Sequence, residues 1–385
     1  MRVLEIFSSS IRSGAEEVAL TLAKEMVRNS WEVHVAFPHT SHNLQLDKDL
    51  IAVGAVTHQL AIGEMPQGKY STSKIVMRSL YAAWLIFRIK PALVVVHLPW
   101  QDHAMPAILA CALLRQPAVL MFHLAPVPVN VFQKRRNLVK WAKTRRQVWL
   151  AVSDHNKKQV ATTFGISDDG VLRIHNGANI HNRPSRIAGP TVGLRRELGV
   201  DKETQLVLSV GRLDMSKGLG DIVPSIPRLK TFHPNVKFIW AGEGPARHEL
   251  EQLIQLHGAE DEVIFLGRRD DVPELLAECD IFLFPTHMEG LSLALLEAAS
   301  TGIPVIAADS TSNPEVIQHM QNGLLFSTGN SDSLFTQLKY ALDNKSEMLT
   351  LAERAKEDMA NFSLDKMLLQ HMELYKSVVN DANKH

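Results

Sequence analysis

The stretch from Asp280 to Asp309, DIFLFPTHMEGLSLALLEAASTGIPVIAAD, constrains the fold of this chain more than any other. Ile281 to Phe284 is an apolar β-run, Met288-Glu289-Gly290 a turn, and Leu291 to Ser300 a helical pattern that Gly302 stops before Pro304. Val305 to Ala307 follows as a second buried strand. Strand, helix and strand in this order make a βαβ unit with parallel strands, and the turn after the first strand lies at the carboxyl edge of the sheet, where such folds bind ligands. The amides around Gly290, Leu291 and Ser292 open the helix and are donors for an anion. Glu297 is the only charge in that helix, and a carboxylate among Leu and Ala needs strong partners. The plain alternative is a Glu that reaches solvent at the helix edge. Against it stands Glu289, eight residues earlier at the mouth of the same loop.

The same alternation runs along the chain. Strands are expected at Arg2–Phe7, Trp31–Phe37, Ala92–His97, Pro117–Phe122, Gln147–Val152 and Val171–His175. A second series is expected at Gln205–Val210, Val236–Ala241, Val263–Leu266, Ile281–Phe284, Val305–Ala307 and Leu324–Phe326. Between the two series, residues 181–193 (HNRPSRIAGPTVG) are polar and broken by Pro and Gly, as a linker is. The fold class is therefore α/β, two doubly wound parallel sheets, and 385 residues suffice for two domains. A final helix is expected over about Ser363–Val379. Cys111 and Cys279 lie in apolar runs and read as buried thiols in a reducing compartment. Glu5 interrupts the first apolar run, which argues against a signal peptide, and no window is apolar enough to span a bilayer, so the expected location is cytoplasmic.

Candidate site residues cluster where strands end. GRLDMSKG, Gly211 to Gly218, follows the first strand of the second series. Its Arg212 and Lys217 are, by themselves, only cations in a surface loop, and its glycines let backbone approach a ligand closely. AGEGP brings Gly242, Arg268 follows VIFLG, and Asn313-Pro-Glu315 forms a further turn in which Glu315 could equally cap a helix. In the first series, Gly14 sits in the turn SSSIRSGAEE, His123 ends the strand AVLMFH, and His97 ends another. Ser153 or Asp154 suits a helix N-cap, and Gly177 a special φ. Asp47 and Asp49 have the spacing of a metal-binding pair but lie after no strand-end cleft. No Cys/His cluster has zinc spacing and no Gly-x-Ser-x-Gly elbow is present. No Gly-x-Gly-x-x-Gly follows the first strand, which weighs against a Rossmann oxidoreductase.

The Glu289-x7-Glu297 pair and the Gly-Arg-Leu-x-x-x-Lys-Gly loop resemble the donor site of the retaining GT-B glycosyltransferases of family 4, of the bacterial cell-surface polysaccharide type. The resemblance covers nearly the whole chain and is most specific from Gly211 to Glu315. It implies two Rossmann-like domains facing each other across a cleft. Residues 1–180 with 363–385 would form the acceptor side, 181–193 the linker, and 194–362 the nucleotide-sugar side. It implies that Glu289 contacts hydroxyls of the donated sugar, Glu297 the ribose, and Arg212 and Lys217 the diphosphate. His123 would lie against the sugar, and main chain near Arg268 would cradle the base. Gly14 and its neighbours would approach a phosphate or the acceptor, although Ser13 stands where the family has a first glycine. The implied reaction is metal-independent, cofactor-free retaining transfer of a hexose from a nucleotide sugar, UDP first and GDP second, to a polysaccharide, oligosaccharide or lipid-linked acceptor. An epimerase of GT-B fold, a small-molecule glycosyltransferase and a non-enzymatic nucleotide-sugar-binding module are the alternatives.

Charge adds a separate signal. The chain carries 41 basic and 41 acidic side chains, yet between Met65 and Ser153 thirteen Lys and Arg face a single acid, Asp102. Phe132 to Trp149 holds seven of those cations interleaved with aromatics. A solvated charge run is the plain reading. Cations with aromatics suit peripheral contact with an anionic membrane, and a nucleic-acid partner is not expected.

Overall fold

The computed structural model describes residues 1–9, 12–60, 72–129, 131, 133–180 and 193–384; the linker expected at 181–193 lies outside them except for Gly193. The chain divides into two compact units, Met1–Asn176 with Asp365–His385, and Gly177–Leu364.

The first unit holds a seven-stranded parallel sheet. Its strands are β1 (Arg2–Phe7), β2 (Glu32–Phe37), β3 (Val56–Gln59), β4 (Leu93–Leu98), β5 (Ala118–Phe122), β6 (Gln147–Ala151) and β7 (Leu172–Arg173). They lie in the order β3-β2-β1-β4-β5-β6-β7. The order reverses between β1 and β4, which places the unit's switch point there. β3 was not legible as a strand: Val-Thr-His-Gln has no apolar run, and this edge strand buries neither face fully. The inner strands β4 and β5 are buried at every position, as a parallel sheet covered on both faces requires.

The second unit has six parallel strands: β8 (Gln205–Val210), β9 (Val236–Ala241), β10 (Val263–Gly267), β11 (Ile281–Phe284), β12 (Val305–Ala308) and β13 (Leu324–Phe326). Their order is β10-β9-β8-β11-β12-β13, with the reversal between β8 and β11. The loops after those two strands therefore carry the ligand edge, and they are the two loops singled out by sequence.

Several expected boundaries shift for local reasons. The helix after β11 is Leu293–Thr301, starting two residues late because Ser292 is its N-cap, and Gly302 ends it at φ 77°. The helix after β1 is Gly14–Arg28, opened by a capping box in which the Glu16 carboxylate accepts from the Ser13 amide (2.9 Å) and hydroxyl (2.6 Å). That gives a reason for serine where the family has glycine. Ser153 caps the Asp154–Phe164 helix through the Asn156 amide. Gly177 is not in the positive-φ region as expected. A Cβ there would instead lie 2.6 Å from the Ser363 carbonyl oxygen. The last helix is Leu364–Asn383, longer than its apolar stripe. Both cysteines are buried, and burial pushes the Cys111 thiol up to about 12.

Candidate functional site

In the second unit the β8 loop folds back against the β11 loop through glycine. Gly218 adopts φ 68°, and a Cβ on it would sit 2.0 Å from the Pro285 carbonyl oxygen. Gly242, at φ 153° after β9, is closer still: its missing Cβ would meet the Gly211 carbonyl oxygen at 1.8 Å. The backbones of three strand-end loops thus touch where side chains cannot fit. A pocket opens over them, lined by Gly211, Arg212, Lys217, Phe284, Pro285 and Thr286 among others.

Two candidate residues far apart in sequence meet at this edge. Lys217 Nζ lies 2.5 Å from Glu289 Oε1, with the Lys side chain 31% and the Glu 16% exposed. Thr286 Oγ1 donates to the same carboxylate oxygen at 3.4 Å. The Glu289 amide donates to Thr311 Oγ1 at 3.0 Å, and Thr311 is itself held at φ 44°. A left-handed threonine is costly, and its hydroxyl here fixes the turn that aims Glu289. Among the described residues the amides of Gly290 and Ser292 make no hydrogen bond, and both residues are buried. His287 braces the other side of the loop through Asp221, Nε2 to Oδ2 2.6 Å.

Arg212 is exposed at the pocket, with neither a hydrogen bond nor an ion pair from its side chain among the described residues. Its charge, after the Ser216 hydroxyl and amide, helps hold the Asp214 carboxyl below its usual range. Glu297 is half-buried in its helix and has a partner. Arg268 stands 78% exposed after β10, with a loose contact to Asp270 at 3.8 Å. Its neighbour Arg269 is the anchored one, bridging Glu197 and Asp271 at 2.6 Å each. Glu315 falls inside the short Asn313–Val316 helix. Asp49 is taken by Arg12 at 2.6 Å, which removes one half of the Asp47/Asp49 pair.

In the first unit Gly14 is exposed, and a Cβ added to it would meet nothing within 4 Å. His123 is only 7% exposed and belongs to a buried polar chain. His123 Nε2 is 2.9 Å from His97 Nδ1, and His97 Nε2 is 3.2 Å from Glu5 Oε1. Strand register builds this chain. Phe7 pairs with His97 and His97 with Met121, so Glu5, two residues before Phe7, and His123, two after Met121, fall on the same face as diagonal neighbours. The last helix closes over it with His371 and Tyr375, both fully buried; among the described residues His371 Nε2 and Tyr375 OH have no hydrogen-bond partner.

Burial dominates the electrostatics of this cluster. It pushes the Glu5 carboxyl up, against the opposing effect of His97, and the Tyr375 hydroxyl well up. It drives His123 well below the usual imidazole range, aided by the charges of His97 and His371, and lowers His371 to about 4. At neutral pH His123 is therefore neutral. With Glu5 ionised, protons point toward it along the chain and leave His123 Nδ1 an acceptor. With Glu5 protonated, the sense reverses and Nδ1 becomes a donor. Sequence had marked His123 and, more weakly, His97. It missed Glu5, although a lone acid inside an apolar strand is the same signal that marked Glu297.

Each unit is a doubly wound parallel sheet whose strand order reverses once, the plan of nucleotide-binding α/β proteins. Residues 193–358 match the family "Glycosyl transferases group 1" and residues 12–182 match "Glycosyltransferase Family 4". The chain belongs to this glycosyltransferase family and has the GT-B fold. A crystal structure of Anabaena Alr3699/HepE in complex with UDP-glucose is similar over 98% of this chain and 100% of that one, with a TM-score of 0.79 and 23% identity. Among curated relatives, the N-acetyl-alpha-D-glucosaminyl L-malate synthase of Bacillus anthracis is 30% identical over 49% of each chain. The N,N'-diacetylbacillosaminyl-diphospho-undecaprenol alpha-1,3-N-acetylgalactosaminyltransferase of Campylobacter jejuni is 30% identical over 49% of this chain and 48% of that one. The chain thus spans about half the length of these relatives. Among the described residues no helix is long and apolar enough to cross a membrane.

Proposed function

We propose that this protein transfers a hexose from a nucleotide sugar, UDP-linked, to a hydroxyl of a glycan or lipid-linked acceptor, with retention of anomeric configuration and without a metal. The observation that carries the reading is the Lys217–Glu289 contact beside Arg212 at the β8–β11 switch point. A diphosphate arriving there competes with Glu289 for the lysine. It takes the ammonium and the Arg212 guanidinium as counter-ions and frees the Glu289 carboxylate for the hydroxyls of the sugar. As the nucleotide leaves, charge grows on the diphosphate, and the two cations with the Gly290 and Ser292 amides stabilise it. Glu297 takes the ribose, main chain at Gly242 and Arg268 the base, and His123 a sugar hydroxyl. The second unit is the donor domain and the first the acceptor side, where Gly14 opens the helix nearest β1.

The UDP-glucose complex of the structural neighbour supports the choice of UDP, and the undecaprenol-linked acceptor of the Campylobacter relative supports a lipid-linked one. We place the protein in the cytoplasm, at polysaccharide or lipid-linked glycan synthesis, with the basic segment 132–149 in peripheral contact with anionic membrane. The test is turnover. Arg212→Ala and Lys217→Ala each lower kcat by the equivalent of about 3 kcal/mol, while circular dichroism is unchanged. Near-normal turnover in both variants refutes the assignment. Chelator leaves the wild type active; activity lost and restored by magnesium refutes the metal-free mechanism. Product sugar altered without an acceptor would mark an epimerase.

A further inference from the structure

The Thr72–Ile89 helix is apolar on both sides. Its inner residues, Ala82, Leu85, Ile86 and Ile89, belong to the core of the first unit. Its outer face carries Met77 and Leu80, each 64% exposed, Trp84 at 48% and Phe87 at 71%. Positions 77, 80, 84 and 87 form one stripe along the helix, and the Met105–Leu113 helix packed beside it ends in Leu113, 64% exposed. Single exposed hydrophobics are ordinary; a contiguous stripe of this size marks an interaction surface.

Charge frames the stripe. The steps β3 to β4, β4 to β5 and β5 to β6 all run in one direction across the sheet, so right-handed crossovers put the helices Thr72–Ile89, Met105–Leu113 and Gln133–Lys143 on one face, with their C-terminal ends at one edge. The chain turns back after those three helices at Lys90 (φ 52°), Arg115 (φ 50°) and Arg146 (φ 61°). Glycine or asparagine takes this left-handed conformation at lower cost, so three cations stand where the backbone favours neither. Arg115 and Arg146 line a pocket of about 240 Å³ with Trp141, Thr144 and Arg145, and among the described residues no acid lines it. The Arg145 guanidinium lies over the Trp141 ring at 5.0 Å. In the body of the Gln133–Lys143 helix two of the cations hold carbonyl groups of the fold: Arg135 donates to that of Asp102 at 2.5 Å and Lys140 to that of Gly165 at 2.8 Å.

We propose that this face is a docking surface for an anionic lipid bilayer: the outer stripe of the Thr72–Ile89 helix enters the headgroup boundary, and the Arg115–Arg145–Arg146 pocket holds a lipid phosphate. A second copy of the chain across a two-fold axis would set the same cations against each other, whereas anionic lipid complements them. The proposal rests on the membrane contact inferred above for 132–149 and moves it from the helix body to the helix ends and the neighbouring apolar stripe.

The experiment is co-sedimentation at low salt with vesicles of phosphatidylcholine alone or equimolar with phosphatidylglycerol. Wild type sediments with the anionic vesicles only. Arg115→Asn/Arg146→Asn keeps residues that tolerate the left-handed backbone and removes two charges. Each charge near an anionic surface is worth about fivefold, so binding falls by about thirtyfold. Leu80→Gln/Phe87→Gln lowers it by tenfold or more. Both proteins keep the wild-type melting temperature and UDP-induced thermal shift. Absence of wild-type sedimentation, undiminished binding by both variants, or loss only in Lys134→Gln/Lys140→Gln overturns the proposal. So does a wild-type dimer in sedimentation velocity that the stripe variant dissolves, which would assign the face to a second copy. Loss of the UDP shift in wild type would instead strike the transfer reading and leave the vesicle result standing.

Discussion

His371 makes acid sensitivity a built-in property of the first unit. Its ring is fully buried on the last helix, Nδ1 donating to the Met367 carbonyl at 2.8 Å and Nε2 unpaired among the described residues. The titratable groups around it are Glu5 on β1, His97 on β4, His123 after β5 and Tyr375 one turn along the helix. Burial lowers its pKa from 6.5 to about 4. The folded state thus binds this proton more weakly than the unfolded chain, so the stability is present above the unfolded value and is lost as pH falls through the folded one. At 1.36 kcal/mol per pKa unit the full effect is about 3 kcal/mol, with about 1 lost by roughly pH 5.5 and more than 2 by roughly pH 4.5. The perturbation is His371→Leu, which keeps the volume and removes both the titration and the unpaired nitrogen. At neutral pH it is expected to be as stable as wild type or more so. Urea unfolding of both proteins from neutral pH to about pH 4.5, followed by tryptophan fluorescence, measures the difference. The variant should gain about 2 kcal/mol on wild type across that range. Parallel curves would refute the argument, because they would mean that His371 protonates in the folded state as readily as in the unfolded.

Other consequences follow from the same geometry. Gly242→Ala forces a methyl group into the Gly211 carbonyl and is expected to cost about 3 kcal/mol and to weaken UDP protection in a thermal-shift assay; a normal melting temperature would show that the loops yield. Glu289→Gln should lower transfer more than nucleotide binding, whereas Glu297→Gln should weaken UDP binding itself; unchanged UDP affinity in the latter removes the ribose assignment. A double-mutant cycle on Lys217→Ala and Glu289→Ala should give non-additive kcat losses, since the two side chains contact each other in the free enzyme; additive losses would mean they act independently. Glu5→Gln keeps the shape of the buried chain but not its proton, and should lower kcat by about fivefold and flatten the pH–rate profile below neutrality; an unchanged profile separates the chain from catalysis.

The sequence by itself determined all but one of the parallel strands, the order of elements and the loops at the second switch point, because these depend on short-range pattern. Buried β-runs, GRLDMSKG and the Glu289–Glu297 spacing each lie within one turn or one βαβ unit. It also determined where cations concentrate. It did not determine which cations are engaged: Arg135 and Lys140 donate to carbonyl groups, whereas Arg115 and Arg146 stand exposed at left-handed turns that no local pattern marks. Nor did it join Lys217 to Glu289, separated by 72 residues, or Glu5 to His97, separated by 92. Those contacts depend on which strands lie side by side and in what register. A shift of one residue in either pairing would turn Glu5 or His123 to the opposite face of the sheet.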